Sequence, residues 1–296
     1  MKKFYGDGII YCGDCLDWLA KKVESESVDL VYIDPPFFSQ RDYKKFTDKW
    51  DGIQSYIAWM RPRVAELYRV LKNTGSIFLH CDWHASHHLR LMLDDIFGYK
   101  NFVNEIAWCY NRSTISKKLF GRCHDTIYFY NKGTGRVLDV PRRPLSKSTY
   151  EGYKGLLNRC GGRVTFADLK KHNPGRFKSV QRCVRDGDLD RVYMDINKGA
   201  VVGDWWCDIS PAKKKGKGQK NCVVYPTQKP EALLERIIKA ASSEGDLVLD
   251  CFGGSGTTAV VARELGREVI IGDISGDACA IMHDRFKRQQ DDFKKN

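Results

Sequence analysis

Asp34 is the residue whose type and setting best suit an acidic group in a binding or catalytic site. It follows the apolar run Val28–Ile33 and precedes Pro35, Pro36 and Phe37. Because proline has no N–H group and a fixed φ, a buried strand over this run must end at Asp34. We therefore expect Asp34 on a stiff turn at the carboxyl edge of a sheet, where ligands bind in open α/β folds.

Asp34-Pro-Pro-Phe37 resembles the Asp-Pro-Pro-Phe/Tyr motif of DNA amino-methyltransferases, and this resemblance implies that the turn binds an exocyclic aromatic amine. Such an amine is conjugated to its ring and is a poor nucleophile. Asp34 and the carbonyl group of Pro35 can each accept a hydrogen bond from it, which favours a pyramidal nitrogen whose lone pair faces a methyl donor. Phe37 offers a face on which a flipped base can stack. An ordinary turn after a strand is the alternative, because Asp-Pro pairs often begin turns.

A second group of candidate residues surrounds a glycine-rich turn near the carboxyl end. Gly254 and Gly256 lie between a predicted strand, Leu247–Asp250, and a predicted helix, 259–265. Glycine lets the backbone approach a ligand closely. The turn matches neither a P-loop nor a dinucleotide-binding Gly-x-Gly-x-x-Gly. Because Asp273 ends the next strand and can accept hydrogen bonds from ribose hydroxyls, we predict a nucleoside cofactor without pyrophosphate, such as S-adenosylmethionine.

Positive charge is concentrated in one part of the 296-residue chain, whose net charge is +12. Residues 136–222 contain 20 Lys and Arg against 9 Asp and Glu, which is nearly all of the excess. A basic region on a neutral body is what a phosphate backbone requires of its partner. The alternative is a solvated surface, although such surfaces usually mix both signs.

The most basic segment is 213–220, which has five lysines and no acid. Its glycines predict a flexible loop. We predict that DNA phosphates contact Lys213, Lys214, Lys215, Lys217 and Lys220. A solvated surface loop is again the alternative.

Cysteine and histidine usage predicts neither a disulfide framework nor a metal site. The eleven cysteines are odd in number and scattered along a large chain. Cys12 and Cys15 form a lone Cys-x-x-Cys pair, and the histidines that follow Cys81 are spaced as at a helix start. No apolar run reaches about 18 residues and the amino terminus lacks an apolar signal region, which predicts a cytoplasmic protein without membrane spans.

Strands and helices must alternate to position these residues. Further strands are predicted at 9–11, 76–80, 102–110, 125–130 and 268–272. Further helices are predicted at 16–23, from 56 to near 73–75, at 85–97 and at 233–241. This alternation predicts an α/β fold with a doubly wound, mostly parallel sheet. Asp14 follows the first of these strands and is expected at the same edge as Asp34. The polar residues 39–52 predict a mobile loop that Trp50 anchors.

Together these motifs resemble those of DNA amino-methyltransferases. Asp34-Pro-Pro-Phe37 is similar to their Asp-Pro-Pro-Phe/Tyr motif. Asp250-Cys-Phe-Gly-Gly-Ser-Gly-Thr-Thr258 is similar to their Phe-x-Gly-x-Gly cofactor motif, although Cys251 stands where proline is usual. Thr227-Gln-Lys-Pro230 resembles the segment before that motif, and Gly13-Asp14 resembles the acid that contacts the cofactor adenine. Catalytic motif, basic region and cofactor motif follow one another in the circularly permuted order of the beta class.

The resemblance implies a Rossmann-like methyltransferase domain formed by 1–130 and 223–296, with 131–222 as an inserted target-recognition region. It implies S-adenosylmethionine as cofactor and double-stranded DNA as partner. It also suggests two further partners, a second copy of the chain in a homodimer and a cognate restriction endonuclease. Catalysis is assigned to Asp34, Pro35, Pro36 and Phe37. Cofactor binding is assigned to Asp14, Thr227, Lys229, Asp250, Phe252, Gly254, Gly256, Thr257 and Asp273.

Several functions remain open within this resemblance. Asp at the first motif position favours adenine N6 over cytosine N4, where Ser is more common. A cytosine-C5 enzyme is excluded because no proline here precedes a cysteine nucleophile. RNA and protein-glutamine methyltransferases share related Pro-Pro motifs but do not usually have this order or a basic insert. A catalytically idle DNA-binding protein is a further alternative, against which the intact motifs argue.

Overall fold

A computed structural model of the chain describes residues 2–5, 8–43, 46–110, 118–134, 141–184, 188–212 and 227–293. The chain divides into two compact units, one formed by residues up to 139 and from 204 onward, the other by residues 140–203. Each unit has its own hydrophobic core. No helix that the structure describes is both long and apolar enough to cross a membrane.

The strands are β1 (Lys2–Tyr5), β2 (Gly8–Cys12), β3 (Val28–Ile33), β4 (Arg41–Tyr43), β5 (Phe46–Asp48), β6 (Leu71–Cys81), β7 (Phe102–Cys109), β8 (His124–Asn131), β9 (Arg142–Arg143), β10 (Arg163–Thr165), β11 (Val192–Asp195), β12 (Ala200–Val201), β13 (Trp205–Trp206), β14 (Leu247–Asp250) and β15 (Glu268–Asp273). The helices are α1 (Cys15–Lys22), α2 (Ile53–Val70), α3 (Ser86–Phe97), α4 (Lys147–Arg159), α5 (Phe166–His172), α6 (Pro174–Val180), α7 (Glu231–Ala241), α8 (Thr257–Glu264) and α9 (Gly276–Phe293).

Nine of the described strands form the main sheet of the first unit, in the order β1-β2-β15-β14-β3-β6-β8-β7-β13. The five strands from β2 to β6 in this order are parallel, and β8 is antiparallel to both of its neighbours. The expected mostly parallel α/β sheet is confirmed. Because parallel strands point the same way, the carboxyl ends of β2, β15, β14, β3 and β6 share one edge.

The central strand β3 is buried along its whole length, which requires cover on both faces of the sheet. Helix α2 contacts α1 and α3, and α8 contacts α7 and α9, so the helices form two packed groups. Asp29 is the acid within β3. Its carboxylate accepts hydrogen bonds from Lys72 at 2.8 Å and from the backbone N–H of Leu247 at 3.0 Å, which satisfies a buried charge.

Two local predictions differ from the structure. Helix α2 ends at Val70 rather than near residues 73–75, because Leu71 is already extended and pairs with Val28 in the sheet. The predicted loop 39–52 instead contains the antiparallel hairpin β4–β5. The expected anchoring by Trp50 is confirmed. The centre of its ring lies 5.1 Å from the ring centre of Tyr56 and 5.0 Å from that of Trp59.

The second unit is a small helical body whose core is formed by Leu157, Val164, Phe166, Leu169 and Phe177. It is shorter than the predicted insert 131–222, because β13 pairs in parallel with β7 and thereby belongs to the first unit. Every Lys and Arg side chain that the structure describes between 140 and 203 is exposed. The second unit therefore carries a strongly basic surface.

Candidate active site

Most of the predicted site residues line one cavity of about 450 Å³ at the carboxyl edge of the parallel strands. The predicted residues in its wall are Asp14, Asp34, Pro35, Pro36, Phe37, Thr227, Lys229, Asp250, Phe252, Gly254, Thr257 and Asp273. Gly256 lies just outside the wall. The five predicted DNA-binding lysines of 213–220 lie outside the described residues.

A buried carboxyl group holds the glycine turn at both of its ends. Asp250 Oδ1 accepts a hydrogen bond from the backbone N–H of Phe252 at 2.9 Å, and Oδ2 accepts one from the hydroxyl of Thr258 at 2.6 Å. Burial raises the pKa of Asp250 to about 7, helped by the negative charges of Asp34 and Asp273, although the two hydrogen bonds act in the opposite direction. Asp250 is therefore a structural anchor for this turn.

Glycine is required in the turn by backbone geometry and by packing. Gly254 and Gly256 have φ angles of +50° and +78°, a region in which side chains cause strain. A Cβ atom on Gly253 would lie 2.4 Å from Cγ1 of Ile271 in the adjacent strand β15. The glycines thus let the turn lie flat on the sheet edge beside the cavity.

Asp273 ties this turn to the end of β15. Its Oδ2 accepts a hydrogen bond from the backbone N–H of Gly254 at 2.9 Å, and its Oδ1 accepts one from that of Ser275 at 2.8 Å. Burial raises the pKa of Asp273, and the backbone N–H groups oppose the rise. The neighbouring Ile274 lines the cavity with 68% of its surface exposed. Asp273 thus has a supporting role beyond the predicted contact with a ribose.

Asp14 is held by a residue that sequence reasoning missed. It caps α1 through the backbone N–H of Leu16, and its Oδ2 accepts a hydrogen bond from Arg63 at 2.5 Å. Arg63 comes from α2, is only 4% exposed, and lies with its guanidinium 3.9 Å from the centre of the Trp59 ring. The sequence did contain a sign of this contact, because Arg63 lies beside Val64 on the buried face of α2. A buried arginine requires an acidic partner.

These features fit a nucleoside cofactor. The cavity volume lies within the usual range for small-molecule sites. The carboxylates of Asp14 and Asp273 can accept hydrogen bonds, and the exposed side chain of Ile274 offers an apolar surface for a purine ring. Gly253 and Gly254 of the glycine turn also line the cavity. Among the described residues, no cluster of His, Cys, Asp or Glu has the geometry of a metal site.

On the other side of the cavity, the two oxygens of Asp34 have different surroundings. Oδ2 accepts a hydrogen bond from Lys229 Nζ at 2.6 Å. Oδ1 is buried and has no hydrogen-bond partner among the described residues, and Nδ1 of His80 lies 4.0 Å away. Lys229, which is predicted to bind the cofactor, therefore contacts the predicted catalytic acid. A buried acceptor without a donor is costly unless a ligand supplies one.

A buried hydrogen-bonded chain lies directly behind Asp34. The hydroxyl of Tyr32 lies 2.9 Å from Nδ1 of His80, Nε2 of His80 lies 3.2 Å from Asp125, and the hydroxyl of Tyr110 donates to Asp125 at 2.6 Å. Burial opposes ionisation of Asp125, but the hydrogen bonds and charges of its neighbours, chiefly His80, outweigh it and lower its pKa. This chain joins β3, β6 and β8 behind the predicted catalytic motif. Sequence reasoning placed His80 and Asp125 only within predicted strands and assigned them no role.

The backbone after Pro36 is held from the hairpin β4–β5. Asp48, only 1% exposed, accepts hydrogen bonds from the backbone N–H groups of Phe37, Phe38 and Ser39 at 3.1, 2.9 and 2.8 Å. Sequence reasoning missed Asp48, because no residue close to it in the sequence indicates that it bonds to the backbone at 37–39. The hairpin thus positions the ring of Phe37, whose centre lies 5.7 Å from that of His80.

Comparison with known proteins agrees with this geometry. The N6/N4 DNA methylase family model matches residues 28–284. Type II methyltransferase M.BamHI of Bacillus amyloliquefaciens is 28% identical over 292 residues, covering 98% of this chain and 60% of M.BamHI. DNA adenine methyltransferase YhdJ of Escherichia coli (strain K12) is 30% identical over 260 residues, covering 87% of this chain and 75% of YhdJ. The chain therefore spans less than two thirds of the length of M.BamHI. It spans three quarters of the length of YhdJ.

Among solved structures, PvuII DNA methyltransferase (cytosine-N4-specific) is similar to this chain with a TM-score of 0.59 and 19% identity. The similarity covers 96% of this chain and 93% of that one. At this identity the likeness concerns the fold.

Proposed function

Because the chain belongs to the N6/N4 DNA methylase family, we propose that it transfers a methyl group from S-adenosylmethionine to the N6 amino group of adenine in double-stranded DNA. One observation carries the proposal. Asp34 and the glycine turn that follows Asp250 line the same cavity. They stand at the ends of β3 and β14, which are neighbours in the sheet, so an amine held by Asp34 lies beside a cofactor held by the turn.

Bound S-adenosylmethionine supplies an electrophilic methyl group. The groups that line the cavity bind the target base and orient its amine. Asp34 accepts a hydrogen bond from the amino group, and the carbonyl of Pro35 accepts a second, so the nitrogen lone pair is directed away from the ring. Phe37 stacks on the base. The carboxylate of Asp34 is also the acceptor nearest to the proton that the amine must lose.

The rigid support of these groups favours catalysis. The carboxylate of Asp48 holds the backbone at Phe37, and the hydroxyl of Tyr56 donates to the carbonyl of Pro36 at 2.6 Å. With His80 packed behind, the motif turn has little freedom to move when a base arrives. Such preorganisation lowers the barrier because no reorganisation is needed during the reaction.

The target amine is hidden inside a duplex, so the base must be turned out into the cavity. The exposed lysines and arginines of unit 140–203 bind the duplex together with the lysines of 213–220. Phosphate contacts position the protein, while base contacts specify the site. The type II relative M.BamHI supports a cognate restriction endonuclease as a functional partner. A homodimer remains a prediction from the family resemblance.

Adenine is the preferred target on two grounds. Asp34 occupies the first motif position, which favours adenine, and the relative YhdJ is named as a DNA adenine methyltransferase. Cytosine N4 is the second candidate, because an acid and a backbone carbonyl can orient the amine of either base.

Nucleoside analysis tests both candidates. Purified protein is incubated with isotope-labelled S-adenosylmethionine and unmethylated genomic DNA, which is then digested to nucleosides. We expect label in N6-methyldeoxyadenosine and none with Asp34→Ala. Label in N4-methyldeoxycytidine would establish the second candidate. Absence of label in DNA together with normal cofactor binding would support an idle DNA-binding protein. Sequencing the modified positions would give the recognition site.

A further inference from the structure

Lys229 stands where the target base is expected. Its Nζ atom lies 2.6 Å from Asp34 Oδ2 and 5.0 Å from the centre of the Phe37 ring. Only 14% of its side chain is exposed, so the ammonium is largely removed from water. The predicted catalytic acceptor and the predicted stacking face are therefore both in contact with one largely buried cation, which an arriving base must either displace or bind.

This cation belongs to the substrate side of the cavity. The lining contains two basic side chains, Arg63 and Lys229, within the part of the chain that the structure describes. Arg63 is bonded to Asp14, next to the cofactor turn. The positive charge of Lys229 instead acts on Asp34 and Asp125, at the end where the amine is expected. Lys229 is thus placed to interact with the base.

The pairing edges of the bases suggest what Lys229 does there. In adenine and cytosine, the amino group is a donor and the adjacent ring nitrogen is an acceptor. In guanine and thymine, a carbonyl acceptor lies next to a ring N–H donor. A carboxylate accepts only and an ammonium donates only, so Asp34 beside Lys229 complements the first pattern and opposes the second.

We propose that Lys229 donates a hydrogen bond to the ring nitrogen adjacent to the target amine, while Asp34 accepts one from the amine itself. The pair then selects amino bases against keto bases, because a keto base in the same pose would place its carbonyl oxygen against the carboxylate of Asp34 and its ring N–H against the ammonium of Lys229. The same pair does not separate adenine from cytosine. This inference rests on the proposed methyl transfer to DNA and names a base-reading residue for it.

Replacing one ring nitrogen of the base by a C–H group tests this contact directly. The target adenine is replaced by 1-deazaadenine, in which the ring nitrogen becomes a C–H group, or by 3-deazacytosine if the methylated base is cytosine. For the wild-type protein we expect kcat/KM to fall about 10- to 100-fold, the loss of one hydrogen bond to a charged group. This measurement needs no variant of the protein.

The second arm repeats the comparison with Lys229→Met. We expect this variant to lose activity on the normal base but to show no further loss on the deaza base, because the contact is already absent. Lys72→Met is the matched control. It breaks an ion pair with Asp29, formed at 2.8 Å outside the cavity, and should keep the full deaza penalty. Lys229→Arg retains a donor and should keep part of the penalty.

Three outcomes would overturn the inference while leaving the proposed function standing. These are an active wild-type protein indifferent to the deaza base, a Lys229→Met variant as active as wild type, and a Lys229→Met variant that keeps the full deaza penalty. The last would mean that Lys229 only supports Asp34. Failure of the wild-type protein to methylate any DNA would instead reject the proposed function and the inference with it.

Discussion

The Oδ2 atom of Asp48 accepts a hydrogen bond from the backbone N–H of Phe37 at 3.1 Å. The same carboxylate also accepts hydrogen bonds from the hydroxyl of Ser39 and the indole N–H of Trp50. The segment that follows the two prolines is therefore held by a buried acid on the hairpin β4–β5. This arrangement makes the part of the cavity around Phe37 depend on a residue outside the motif.

Asp48→Ala should impair methyl transfer while sparing the cofactor side. Each backbone N–H left without a partner costs about 1–3 kcal/mol, so the turn should lose its defined geometry. We expect KM for DNA to rise and kcat to fall, with cofactor affinity by calorimetry close to that of wild type. The exposed Asp51→Asn is the control. Equal losses of cofactor and DNA binding would point to general unfolding instead.

Asp34→Ala should abolish methyl transfer while cofactor binding survives. In the proposed reaction Asp34 orients the amine, whereas the glycine turn after Asp250 holds the cofactor. The two follow different strands, β3 and β14. Label transfer to DNA and calorimetry with S-adenosylmethionine measure the two functions separately. Thermal unfolding checks that Lys229, left without its acidic partner, does not destabilise the fold. A variant that no longer binds the cofactor would refute this division of roles.

Asp273→Ala should weaken cofactor binding by about 1.5–3 kcal/mol, the value of hydrogen bonds to a charged group. The variant loses the predicted ribose acceptor and also the carboxylate that holds the N–H of Gly254. Gly254→Val should have a larger effect, because a branched side chain is strained at a φ angle of +50°. Calorimetry with S-adenosylmethionine measures both. Normal affinity in both variants would remove the glycine turn from the cofactor site.

Asp250 should make the protein less stable as pH rises. Its pKa of about 7 in the folded chain lies above the unfolded value near 4, so the folded state holds an extra proton between these values. The stability it contributes is fully present below about pH 4 and is lost as pH rises through about 7. Asp250→Asn cannot ionise, so its melting temperature relative to wild type should increase from about pH 5 to about pH 8.

Thermal unfolding of Asp250→Asn and wild type across this range makes the measurement. The exposed Asp17→Asn serves as control and should show no such trend. A difference in melting temperature that is independent of pH would show that the carboxyl of Asp250 is ionised throughout.

The basic surface of unit 140–203 should control the salt dependence of DNA binding. Lys170→Ala with Lys171→Ala removes two exposed charges from the last turn of α5 and should flatten the slope of log affinity against log salt by about 0.9 per lost phosphate contact. The matched control is Lys21→Ala with Lys22→Ala, in the last turn of α1. Equal slopes in both double variants would mean that α5 does not contact phosphate.

Replacing Lys213, Lys214 and Lys215 by Ala should flatten the same slope by up to about 3 units. Site choice should persist in each variant, because phosphate contacts carry no sequence information. A slope equal to that of wild type would show that segment 213–220 is only a solvated surface.

Short-range rules determined much of this protein from its sequence alone. Strand β3 has the predicted bounds because two prolines stop it at Asp34. Apolar residues at helical spacing placed α7, and the glycine spacing located the turn between β14 and α8. Each of these features depends on residues within one turn or strand. The sites they form at the sheet edge followed from the parallel order of the strands.

Only the tertiary structure decided which side chains meet. Lys229 bonds to Asp34 across 195 residues of chain, and Arg63 bonds to Asp14 across 49. The bounds of the second unit likewise depend on the pairing of β13 with β7. Such contacts depend on which strands are neighbours and where each side chain points, and no local pattern encodes either. Sequence therefore located the two halves of the candidate site, and folding determined that Lys229 bonds to Asp34 within it.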